Sequence, residues 1–137
     1  MRKNFLIAFI AALVLSGCST LAGVKAAKGS GQSQVYCAKK EVVWKELSNV
    51  LNQLELNVKQ SNESDGYMLA QAGLTLLSYG ENIAIFVESD RYQPTTSRVE
   101  VVSKRVLATN FTAANTWELE ILSKLNSKFN TCNDVLR

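Results

Sequence analysis

Two stretches with helical spacing stand towards opposite ends of this chain, and most of what lies between them alternates as strands do. In Glu41 to Leu56, Val43, Leu47, Val50, Leu51 and Leu54 recur three and four residues apart, which predicts a helix from about Glu41 to Leu54 with one apolar stripe. Within Phe111 to Phe129, Trp117, Ile121, Leu125 and Phe129 repeat every four residues with Leu122 beside them, which predicts a second helix. Asn115 with Glu118 fits a capping box there, and Thr112 is an equal candidate for the N-cap. A helix with a single apolar stripe needs a flat apolar surface to cover, so the segments between must supply a sheet.

The intervening runs fit that demand. "LELNVKQ" alternates at Leu54, Leu56 and Val58, "SNESDG" is a turn, and "YMLAQAGLTLLSY" is long enough for a strand. In "NIAIFVES", Ile83, Ile85 and Val87 share one face, and in "SRVEVVSKRVL" Val99 and Val101 oppose Arg98 and Glu100. "DRYQPTT", with the only proline, separates these two runs. With a short first strand at Gln34 to Cys37, the expected fold is α+β. It is a two-layer sandwich in which an antiparallel meander of three or four strands carries two helices on one face, in the order β-α-β-β-β-α, with the other face wetter. A single domain over 35–137 would hold it. In outline this resembles the helix-grip domains of some lipoproteins of the outer-membrane assembly machinery, a likeness of pattern and not of motif.

The start of the chain reads as an address. Met1 to Asn4 is short and basic, Phe5 to Leu15 is wholly apolar, and Ser16-Gly17 is small, as in a secretory signal peptide over 1–17. Eleven apolar residues, at roughly 1.5 Å each, cover only about half of a hydrocarbon core of about 30 Å, so a lasting membrane span is the weaker reading. Leu15-Ser16-Gly17-Cys18 resembles the lipobox of bacterial lipoproteins. That resemblance implies a diacylglycerol thioether on Cys18, cleavage just before it and acylation of the new amino terminus. Ser19, in place of the Asp that favours inner-membrane retention in the enteric pattern, implies the outer membrane and its periplasmic side. Residues 18–34, "CSTLAGVKAAKGSGQSQ", read as a flexible tether; about 15 such residues reach about 20 to 25 Å. Lys25 and Lys28 would touch anionic headgroups or simply keep the tether solvated.

Loss of Arg2 and Lys3 with the signal leaves 13 basic residues facing 12 acidic ones, a near balance that offers no electrostatic footprint for nucleic acid. Cys37 precedes the first helix and Cys132 follows the last. If the two helices lie antiparallel on one sheet face, these sulfurs meet, and with Cys18 consumed by lipid they form an even pair in an oxidising compartment. A redox-active thiol pair is the rival reading, without a Cys-x-x-Cys spacing to lower either pKa.

Chemistry is sparse. The chain has no histidine, which excludes Ser-His and Cys-His pairs and an imidazole zinc site, and no nucleophile elbow or phosphate-binding glycine loop occurs. No metal or cofactor is expected. Glu88, Asp90 and Glu100 could approach as an acid and base do in glycosidases, or simply solvate a hairpin end. For recognition, the candidate is the loop Ser89 to Ser97. It holds Arg91 and Tyr92, residue types that dominate interface hot spots, beside Pro94, which stiffens the loop. A second candidate is a gap between helices and sheet lined by Trp44, Phe86, Phe111 and Trp117, which are otherwise core. These features point to a membrane-anchored, non-enzymatic module that binds an envelope protein or serves envelope assembly or maintenance. The alternative is a carrier or sensor of a small apolar ligand.

Overall fold

The computed structural model describes residues 20–73, 80–106 and 116–132. In chain order its elements are α1 (Leu21–Lys25), β1 (Gln32–Tyr36), α2 (Lys40–Gln53), β2 (Asn57–Asn62), β3 (Tyr67–Ala72), β4 (Glu81–Ser89), β5 (Ser97–Arg105) and α3 (Thr116–Asn126). The strands form one open antiparallel sheet of five, in the order β1-β5-β4-β3-β2. The fold is α+β, as the patterning predicts. It departs from the expected three or four strands and from the order β-α-β-β-β-α in two ways. β2 to β5 form a four-strand meander in which β2 is a strand of its own, and β1 adds a fifth strand at the far edge, pairing Gln32 with Val101 through to Tyr36 with Ser97. α2 therefore carries the chain from one edge of the sheet to the other before the meander returns.

The helical stripes land where the periodicity places them. Val43, Leu47, Val50 and Leu51 of α2 and Ile121 and Leu125 of α3 are fully buried against Ile83, Ile85, Val87, Val99 and Val101, while Leu54, Trp117 and Phe129 pack around that cluster. α2 ends without the glycine that usually marks a stop. Leu56 N–H donates to Leu51 O at 3.0 Å and Glu55 N–H to Asn52 O at 3.1 Å, a Schellman closure with Leu51 and Leu56 both buried. Glu55 takes the left-handed position at φ 55°, a cost a glycine would not carry.

The second face of the sheet is not simply wet. α1 lies on it, burying Val24 completely in a cluster with Tyr67, Leu69, Ala84, Phe86 and Val102, and Leu21 and Ala27 pack alongside. Sandwiched from both sides, β4 is buried over its first seven residues, whereas β2 at the open edge is almost wholly exposed. The expectation of a flexible tether over 18–34 is thus corrected for 20–34, which form α1, a connection and most of β1. A five-residue helix containing a glycine and an alanine has too few turns for its period to show in the sequence. Its capping is local: Thr20 Oγ1 accepts from Gly23 N at 3.0 Å.

Candidate functional site

Three features concentrate polar and charged contacts: the segment 20–31, the β4–β5 hairpin, and a polar cluster under the start of α3. The segment 20–31 is fastened to the sheet by groups spread along it. Lys25 Nζ sits 3.6 Å from the Tyr67 ring centroid and Lys28 Nζ 5.3 Å from that of Phe86. Lys28 also pairs with the Glu88 carboxylate. Glu100 Oε1 accepts from the backbone N–H of Gly29 at 2.6 Å and of Gly31 at 3.1 Å. Gly31 approaches β5 so closely that a Cβ there would lie 2.0 Å from Val101 O, so no other residue fits without moving the backbone. Two of the carboxylates singled out as an acid–base pair, Glu88 and Glu100, therefore hold this segment, and Asp90 has a different task in the hairpin. The two lysines are held against rings and a carboxylate and do more than solvate a linker.

In the hairpin, Asp90 Oδ1 accepts from Tyr92 N at 2.7 Å and Gln93 N at 3.1 Å, and Thr96 N–H donates to Gln93 O at 2.8 Å. The loop is thus ordered from within, and its candidate contact residues Arg91, Tyr92 and Pro94 all face solvent, Tyr92 at 94% of its full exposure. A large amphipathic ring on a pre-shaped loop loses little freedom on contact, which suits recognition.

The third feature was not read from the sequence as a cluster. Glu81 and Arg105 face each other across β4 and β5, with Arg105 Nε 4.0 Å from Glu81 Oε1. β1 begins only at Gln32, opposite Val101, and two residues further along β5, past the reach of β1, the Ser103 amide donates instead to Glu118 Oε1 at 2.9 Å, with its hydroxyl at 3.3 Å. Glu118, expected in a capping box with Asn115, is buried and spends its carboxylate on β5; Asn115 itself lies outside the described residues. Burial raises the Glu81 pKa, the Arg105 charge opposes this, and the Glu118 carboxylate adds to it. A cleft of about 270 Å³ opens at this end of the sheet, lined in part by Asn57, Gln71, Gly80, Glu81 and Val106.

The supposed aromatic gap is not assembled. Trp44 and Trp117 belong to the helix face, but Phe86 lies in the opposite cluster under α1, and Phe111 is outside the described residues. Alternation already separates them, because Ile85 and Val87 flank Phe86 and point the other way. Cys37 and Cys132 are joined as a disulfide with Cα atoms 5.3 Å apart. The backbone supports the pairing: Cys37 N–H donates to Asn130 O at 3.0 Å and Cys132 N–H to Val35 O at 2.9 Å, so 130–132 run beside β1. Cys18 and the whole of 1–19 lie outside the described residues. Among the described residues no helix is long and apolar enough to cross a membrane, and no three His, Cys, Asp or Glu side chains are grouped to hold a metal. No known family model matches this chain, and no curated protein matches it either.

Proposed function

We propose that this protein is a lipoprotein anchored through Cys18 to the periplasmic side of the outer membrane, where its domain acts as a non-enzymatic module that binds an envelope protein or serves envelope assembly or maintenance. The observation that carries the reading is Leu15-Ser16-Gly17-Cys18 behind a basic start and a short apolar run. The Cys37–Cys132 disulfide suits an oxidising compartment. The ordered hairpin with exposed Arg91 and Tyr92 suits protein recognition better than the open edge does, because β2 is polar at every position but Val58. Among the described residues, the space between helices and sheet is filled by Tyr36, Leu47, Met68, Ile83 and their neighbours, which favours the binding module over the carrier.

Metabolic labelling with a fatty acid tests the anchor: Cys18→Ser should abolish the label and leave the precursor uncleaved, and normal labelling of that variant overturns the assignment. Crosslinking in cells tests the module. Arg91→Ala with Tyr92→Ala should weaken capture of partners while each shifts stability by no more than about 0.5 kcal/mol, because loop-tip side chains bury little on folding. Capture equal to wild type at equal abundance rejects the hairpin as the contact.

A further inference from the structure

The reach from Cys18 to the folded domain is fixed by covalent geometry. Thr20 is already the N-cap of α1, and α1 is packed on the sheet. Two residues span at most about 7 Å however they are turned, against the 20 to 25 Å of a free linker. An acyl group on Cys18 would therefore hold Thr20, where α1 begins, within about 7 Å of the acylated residue at the membrane surface. We propose that this sheet face lies against the bilayer surface, with 20–31 acting as a short collar that sets the domain's orientation. This rests on the acylation of Cys18 argued above.

Charge supports the same occupant. Register places Arg98 and Lys104 on this face with Glu88 and Glu100, and Lys25 and Lys28 lie over it with their ammonium groups drawn onto Tyr67, Phe86 and Glu88, so these six residues give the face a net excess of two positive charges, the sign that suits a surface bearing anionic lipid. The collar's exposed residues are mostly small, Ala22, Ala26, Gly29 and Ser30, and the long exposed side chain among them, Lys28, turns back to Glu88. The opposite layer, α2 and α3, then faces the aqueous space.

The test uses the full lipidated protein in vesicles of phosphatidylethanolamine and phosphatidylglycerol, with one nitroxide placed at Ala26→Cys or, in a second variant, Ala22→Cys. A third variant carries it at Leu119→Cys, which is well exposed on α3. Collisions with a water-soluble nickel chelate should be several-fold fewer at 26 and 22 than at 119. Insertion of twelve Gly and Ser residues between Ser19 and Thr20 should remove that contrast. Acylated protein whose collar and α3 sites collide equally overturns the orientation while leaving the anchor standing, and a contrast that survives the insertion overturns the collar as its cause. Protein that carries no acyl label overturns the anchor and the orientation together.

Discussion

On one face of the sheet α2 and α3 lay down 14 and 11 helical residues, and the seam between them and the strands is apolar apart from the Glu81, Ser103, Arg105 and Glu118 cluster at one end. On the other, a helix of five residues covers part of β3, β4 and β5, and lysines over rings, one surface ion pair and one carboxylate bound to two backbone amides do much of the holding. Buried area is cooperative and insensitive to salt, whereas exposed ion pairs contribute at most about 1 kcal/mol each and weaken with ionic strength. The contrast teaches that one protein can keep a global core and, back to back with it, a cover whose opening costs much less than unfolding.

Substitution on each face sharpens this contrast. Leu47→Ala should cost about 2 to 5 kcal/mol in urea unfolding, because Leu47 is fully buried beneath α2. Val24→Ala, equally buried but under α1, should cost only about 1 to 2 kcal/mol, at roughly 0.8 kcal/mol for each lost methyl. Hydrogen exchange of the amides in 24–31 should show opening well below the global free energy and should accelerate in high salt; exchange that matches the α2 core would break the contrast. Glu55→Gly should stabilise by about 0.5 to 1 kcal/mol by relieving the left-handed residue that closes α2, read as a higher urea midpoint with unchanged slope.

The last effect is a slope. Glu81 binds its proton more tightly in the folded protein than in the unfolded chain, chiefly because it is buried. The fold then takes up protons between the ordinary carboxylate pKa and the raised one, and stability falls as pH rises through that window. Compared with Glu81→Gln from the ordinary carboxylate pKa upward, the wild type should lose stability with rising pH, and a parallel pair of curves would refute the assignment.

These contrasts also mark what could be read from the residues. The main helices were legible because Val43, Leu47, Val50 and Leu51 and then Trp117, Ile121 and Leu125 repeat over more than two turns. The disulfide was legible because Cys37 and Cys132 flank antiparallel helices. α1 was not, since five residues give a single turn and its neighbours Gly29, Ser30 and Gly31 look like any flexible linker. Its anchors, Glu88 and Glu100, lie more than fifty residues away, where they read as solvated strand charges. The Glu81, Ser103 and Glu118 contacts depend on where β1 begins, which only tertiary pairing decides.

The two margins of the sheet are finished differently, and both resist growth. Beside β1 the stapled stretch 130–132 takes up bonding groups that another chain would otherwise find, with Thr131 bridging Tyr36. Among the described residues β2 has no such cover, but its register slips between Val58 and Gln60, Lys59 sits in that irregularity, and the strand reads Asn-Val-Lys-Gln-Ser-Asn. A kinked, polar and charged rim is a poor template for an incoming strand. Copies crowded at high local concentration would meet rim to rim at these two edges without zipping into a continuous ribbon through them.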